Sequence, residues 1–534
     1  MSETAHIVVA GGGHNSLVTA AYLAKAGHEC LVLDARPIPG GGAATEELLI
    51  PGYKLDSCST GHTLIQVNPL MLNDELGLKS DYGLEYLEPD PIAHVAFPDG
   101  QQLTHWLDLD RACEELARFS PRDADIYRRF MAEYDDVKDA FARARSAPIG
   151  FGPSLDELLA EHPRGRIWMR RQAISAWDII KREFESRHVQ AYLLWQAFQT
   201  LVPVDAAGSG VNAYSIIFGR QRRSWTIPRG GSGSLTDALV RCIEDHGGTV
   251  LCDRRVTRLI LEDGRCVGVE TDDGEQYLAG EAVLSSIHVK HLVDMAPADA
   301  WGEEFVYGVE TYDIGMPGMA AYFATSEPPL FETPDGSRSA VSAGTVGWPE
   351  EVVKLGRDIK DGRFVEDVRW LLAATPTIVD PSRAPEGMHT MKLLSPQTWE
   401  TPAGRSWEEM KDEVAQRQLE HLRRFAPNLT DDKIVARYVK SPADIERSNP
   451  HMVHGAFHGG DRSYAFSGKL RPVPGWASHR MPIPGLYQTG ATTSVGGSIT
   501  GIPGRNAAIV MLSDLGTSLE EVVAGAGRAR AGSR

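Results

Sequence analysis

His6-Ile7-Val8-Val9-Ala10-Gly11-Gly12-Gly13-His14-Asn15-Ser16, followed at a distance by Leu31-Val32-Leu33-Asp34, decides the fold. A β-branched apolar run, a glycine turn, a helical stretch from Ser16 to Ala26, a break at Gly27-His28 and a second apolar run ending in a carboxylate spell one βαβ unit. Gly11 lets the chain turn sharply out of the strand. Gly13 lacks a Cβ, so a pyrophosphate can approach the backbone beside His14 and Asn15, where free N–H groups and the helix dipole favour an anion. Asp34 is placed to accept from ribose hydroxyls. Ser16 stands where the third glycine of the dinucleotide fingerprint belongs, and it is small enough to keep helix and strand close.

Just beyond Asp34 comes Ala35-Arg36-Pro37-Ile38-Pro39-Gly40-Gly41-Gly42, a second glycine cluster where backbone can press against a phosphate. Near the carboxy end stand Thr489-Gly490-Ala491 and then Ser494-Val495-Gly496-Gly497-Ser498-Ile499-Thr500-Gly501-Ile502-Pro503-Gly504-Arg505-Asn506. Glycines before a helix again make an anion-friendly N-terminus. Two such sites in one chain suit a flavin, with its pyrophosphate on the first helix and the electron-rich edge of its ring facing Ile499 and Thr500.

These motifs resemble the phytoene desaturase-like FAD-dependent oxidoreductases, and most of all the branch called pyridine nucleotide-disulfide oxidoreductase domain-containing protein 2. The resemblance rests on Asp34 to Gly41, Thr45-Glu46-Glu47, Pro51 to Asp56, His454-Gly455-Ala456, Arg471-Pro472 and the carboxy-terminal glycine motif. It implies an α/β fold, in which a Rossmann-like FAD-binding domain of the glutathione reductase and amine oxidase type is interleaved with an α+β substrate domain. It also implies that the backbone of Val256 meets the adenine. Three positions depart from the usual pattern: Gly42 where an arginine is common, Val495 for a proline and Ser498 for a glycine. A positive partner for the phosphates must then come from elsewhere.

At 534 residues the chain is too long for one core. The expected FAD-binding domain comprises 1–104, 226–300 and 470–516, and the substrate domain 105–225 and 301–469. Residues 107–146 and 155–198 carry apolar positions at helical spacing, the second stretch with Trp168, Trp177 and Trp195. Strands are expected at Met319–Ala324 and His389–Ser395, and a helix at Ser406–Phe425. The tail 525–534, made of Gly, Ala, Arg and Ser, is expected to be disordered.

A net charge of -18 argues against nucleic acid as a partner. The six cysteines show no C-x-x-C spacing, which suits reduced thiols in a cytoplasmic protein and removes dithiol chemistry. The amino terminus leads straight into a strand, so no signal peptide is expected, and no apolar run reaches a membrane span. Peripheral membrane contact and oligomeric state stay open.

His451, His454 and His458 have spacings that suit metal ligands on a helix, but Pro450 and the surrounding glycines argue against a regular helix, so no metal is expected. His454 is placed instead near the substrate side of the flavin. His62 is a second candidate, because in related proteins the segment after the glycine pair passes close to the ring. With no second nicotinamide fingerprint, the expected chemistry is substrate oxidation. Hydride would pass to flavin N5 from a small apolar molecule, with isoprenoids or carotenoids as the model, and oxygen or a quinone as acceptor. The alternatives are an amine or amino acid oxidase on the same scaffold, and a flavoprotein with a binding role.

Overall fold

The strand Glu3–Ala10 is the axis of the first of two seven-stranded sheets. A computed structural model describes residues 3–333 and 336–532. Strand order in this sheet is Val256–Glu262, Arg265–Thr271, Gln276–Ser285, Glu3–Ala10, Cys30–Leu33 and Thr249–Leu251. Leu486–Gln488 joins in parallel on Gln276–Ser285. The central strand pairs in parallel on both sides, Ile7 to Val9 facing Ala282 to Leu284 on one and Cys30 to Val32 on the other.

A parallel strand inside a sheet is covered on both faces, which is why this run is continuously apolar. Its side chains alternate between two cores. Ile7 and Val9 pack with Leu17, Tyr22, Leu239 and Met511. Val8 and Ala10 pack with Val269, Trp301 and Phe305. The first core joins the helices His14–Lys25, Gly233–Asp245 and Ile502–Asp514, so the two ends of the chain meet under one sheet.

The second sheet runs Ile434–Lys440, Gly318–Thr325, His389–Pro396, Leu371–Ala374, Ser342–Thr345, Ala93–Ala96 and Gln102–His105. Met319, Ala321 and Phe323 pack on the helix Trp407–Arg423 through Met410, Val414 and Leu419. That helix starts at a capping box, where Ser406 N donates to Glu409 Oε2 at 2.7 Å. Toward the opposite side, Leu372 and Ala374 join a helical layer that includes Trp168 and Trp195, both of them core.

Several sequence expectations need correction. The strands Ala93–Ala96 and Gln102–His105 lie in the second sheet, so the first segment leaves the nucleotide-binding sheet before residue 104. They form a local antiparallel pair, but the strand that joins Ala93–Ala96 to the rest of the sheet, Ser342–Thr345, lies far along the chain, and local pattern carries no trace of that pairing. The single stretch expected over 155–198 is four helices, Leu155–Glu161, Gly165–Ala173, Ala176–Glu183 and Arg187–Phe198. Ser154 and Ser175 cap two of them, each accepting from a backbone N–H three residues on. The helix Leu519–Gly532 runs through most of the tail expected to be disordered, because its alanines, arginines and glutamates favour helix; residues 533–534 lie outside the described residues. Among the described residues no helix is long and apolar enough to cross a membrane.

Candidate functional site

The glycine turn after the first strand forms part of one cavity wall. Gly11 has φ +99°, and a Cβ there would lie 2.5 Å from Ser286 Oγ, so only glycine fits. Gly13 caps the helix that begins at His14, two residues earlier than the sequence suggested. Ser16 keeps the packing its position requires: its hydroxyl lies 2.5 Å from Gly11 O and 2.8 Å from Gly13 O. The second glycine cluster is stitched onto the first, with Gly40 N donating to Gly12 O at 2.7 Å and His14 N to Gly40 O at 3.2 Å.

This cavity brings together Gly11, Gly13, His14, Asn15, Asp34, Ala35, Gly41 and Gly42 from the amino-terminal region. Val256 adds a strand end, and Gly490, Ala491, Gly497, Ser498 and Ile499 come from the carboxy-terminal loop. Two predicted residues stand behind the wall. Gly40 is fixed in the glycine stitch, and Thr500 gives its carbonyl to Asn68 Nδ2 at 2.8 Å. The carboxy-terminal helix starts only at Ile502, after Gly501 in the left-handed region, so the wall here is loop.

Asp34 accepts from Gly12 N at 2.9 Å and from Arg36 N at 2.8 Å, and burial pushes its carboxyl above the usual range against those two bonds. Arg36, Arg254 and Arg255 line the same end. They supply the positive charge that Gly42 does not. Arg471, fully buried, donates to the carbonyls of Ala491 and Asp461, and so braces the carboxy-terminal loop.

Both histidines proposed for catalysis lie off this wall. His62 is 0% exposed, with Nε2 2.9 Å from Ser232 Oγ and Nδ1 3.3 Å from Tyr86 Oη. Its neighbours Thr60 and Gly61 line the cavity instead, and burial pushes its imidazole down to about 3. His454 adopts φ +53° and turns outward, stacking on Trp399 at 4.5 Å between ring centroids. The flanking His451 and His458 line the cavity, together with His14, His288 and His291. Burial, the main cause, holds His14 and His451 at about 4 and His458 at about 3, so these rings are neutral at pH 7. They do not converge as metal ligands. Among the described residues that geometry occurs only at His6, His28 and Glu281, where His28 Nδ1 is 2.7 Å from Glu281 Oε2.

Residues that sequence reasoning did not single out complete the wall: Gln199, Leu201, Arg220 and Trp225 from the helical layer, and Leu372, Ala374, Lys392 and Leu394 from the second sheet. Lys392, 6% exposed, donates to Thr60 Oγ1 at 2.7 Å and to the Cys58 carbonyl. Burial lowers its ammonium, opposed by Asp56 and Cys58. A lysine inside the run Met391-Lys392-Leu393-Leu394 of an expected strand was the one available signal, and it was weak.

A dinucleotide fits the wall chemically. Glycine backbone, a buried carboxylate and three arginines meet at one end. On the same wall Asn15 Oδ1, His451 Nε2 and His458 Nδ1 are buried without a protein partner.

Comparison with known proteins agrees. The family model described as flavin containing amine oxidoreductase matches residues 17–504. One of the subunits of limonene dehydrogenase from Castellaniella defragrans is 27% identical, with 97% of this chain and 97% of that one covered. Pyridine nucleotide-disulfide oxidoreductase domain-containing protein 2 of Mus musculus is 26% identical over 95% of this chain and 93% of its own. Phytoene desaturase (lycopene-forming) of Pseudescherichia vulneris is 26% identical over 95% and 99%. A solved putrescine oxidase with putrescine bound shares the fold at 14% identity, TM-score 0.60, over 96% of this chain and 99% of that one. The glycine turns, the sheet they extend and a family match that runs through nearly the whole chain lead to one conclusion: it belongs to the flavin containing amine oxidoreductases, on their phytoene desaturase-like side, and is an FAD-dependent oxidoreductase.

Proposed function

We propose that the protein dehydrogenates a largely apolar substrate, held at the cavity end walled by the second sheet and the helical layer. In this reading Gly11, Gly13, His14 and Asn15 face the FAD pyrophosphate, and Asp34, Ala35 and Val256 the adenosine. Gly41, Gly42, Gly490, Ala491, Gly497, Ser498 and Ile499 follow toward the ring. FAD, when bound, supplies the two-electron acceptor. The chain's own residues position the substrate C–H bond and exclude water.

One observation carries the choice of substrate class. Among the described residues on the wall, Asp34 is the sole carboxylate, and it belongs to the nucleotide end. The other end offers Leu201, Trp225, Leu372, Leu394 and Phe457, with two cations, Arg220 and Lys392. An ammonium substrate would meet like charge and no anion there. The relatives named for limonene and phytoene support the same reading.

The test is anaerobic mixing of the holoenzyme with limonene and geranic acid on one side and putrescine and hexylamine on the other, watching the visible flavin band. Bleaching by an isoprenoid is expected. Bleaching by the amines alone would overturn the proposal.

A further inference from the structure

Arg220 lies on the helix Asn212–Arg223 and is 8% exposed on the cavity wall. Its Nη2 donates to Gln199 Oε1 at 2.6 Å, while Nη1 is buried with no protein partner. A guanidinium only donates, so Gln199 must turn its oxygen toward Arg220 and its NH2 away. That Gln199 Nε2 is likewise buried, on the same wall and without an acceptor. Two adjacent side chains thus each present an unmet donor.

No carboxylate in the described protein offsets the charge. Burial pushes the guanidinium down to about 10, and the sole group raising it is the Tyr192 phenol. Lys392, the other cation at this end, already meets Thr60 and the Cys58 carbonyl. A buried guanidinium without a counter-ion is costly, and a planar two-oxygen anion is the partner that its geometry and a neighbouring amide satisfy together. Around it the wall is apolar, with Leu201, Leu372, Ala374 and Leu394.

We propose that Arg220 and Gln199 anchor the carboxylate of an amphipathic acid, whose apolar body lies along Leu201, Leu372 and Leu394. This inference rests on the reading of that cavity end as the substrate's. The acid is the substrate class, and the two residues are its binding groups.

The experiment is calorimetric titration of the holoenzyme with hexanoate, octanoate and decanoate, each beside the primary alcohol and primary amine of equal length. The acids are expected to bind about ten- to a hundredfold more tightly than the alcohols, as a charge-assisted pair would give, with amines weakest. Arg220→Gln should bring the acid-to-alcohol ratio to about one. Gln199→Glu, which keeps the shape and supplies an internal counter-ion, should do the same, so the outcome stands even where Arg220→Gln fails to fold. Flavin content should match wild type in both. Acids that bind no better than alcohols, or a preference that survives Gln199→Glu, overturn the proposal. So does loss of flavin in the variants, which would assign Arg220 to the cofactor. Binding is read without turnover, so an acid preference without flavin bleaching by any acid sinks the dehydrogenation reading while leaving the anchor in place.

Discussion

In the proposed reading, one missing methyl group at Gly13 decides cofactor binding. A Cβ there would have no protein atom closer than 3.9 Å, so the position is free of steric demand from the fold itself. Gly13→Val should therefore fold with a near-normal melting temperature yet purify colourless, which the flavin-to-protein absorbance ratio checks. His62 is the converse case. Its ring is spent on Ser232 and Tyr86, so His62→Ala should cost about 1–3 kcal/mol by leaving those partners unsatisfied. Chemical denaturation of the variant and its rate of flavin reduction separate the two roles; a large fall in rate with unchanged stability would return His62 to catalysis. His454→Ala, at an exposed stacking position, should change stability by no more than about 0.5 kcal/mol.

The helices of the two chain ends cross at Gly504. A Cβ there would sit 2.2 Å from Asn15 O, and Thr19 Oγ1 donates to Gly504 O at 2.8 Å. The next residue, Arg505, makes a bidentate pair with buried Glu75 at 2.8 and 2.9 Å, and Tyr22 Oη donates to the same carboxylate. Both helices present their N-terminal loops to the cavity, so in the proposed reading their spacing sets the distance between the pyrophosphate and ring ends. Gly504→Ala should separate them, costing about 1–3 kcal/mol as overpacking, and weaken FAD binding in a flavin-fluorescence titration. Glu75→Ala should cost about 3–5 kcal/mol, since it strands Arg505 in the interior.

At the scale of the whole molecule, Asp56 on the two-stranded ribbon of Thr45–Glu46 and Leu55–Asp56 meets Arg383 on the short turn Pro381–Arg383, far along the chain; their Oδ2 and Nη2 lie 2.8 Å apart, fully buried and off the line of a hydrogen bond. Burial alone would raise the Asp56 carboxyl. Arg383, Lys392 and the Ser232 N–H outweigh it and hold the group below its ordinary range. A carboxyl depressed in the folded state contributes stability that is complete above its unfolded pKa of about 4 and is lost as pH falls further. The melting-temperature gap between wild type and Asp56→Asn should therefore be widest at neutral pH and shrink on acidification below about 4. A gap that stays constant through that range would show that the ion pair does not contribute this stability.

The βαβ opening, the paired glycine clusters and the strand pattern around them were legible in the sequence because each rests on neighbours within a dozen residues, where periodicity of two or 3.6 and the glycine conformation act locally. The cofactor followed from the same local signals at both chain ends. The cavity end proposed for the substrate did not. Gln199, Arg220, Leu372 and Lys392 come from separate helices and strands and meet only through packing between the helical layer and the second sheet. Whether His454 or its neighbours His451 and His458 face the cavity hinges on one left-handed residue, and spacing alone does not reveal it. Sequence therefore determined the nucleotide-binding sheet and its flavin. The tertiary structure alone decided which buried charges stand without partners, because burial and pairing are properties of contacts hundreds of residues apart.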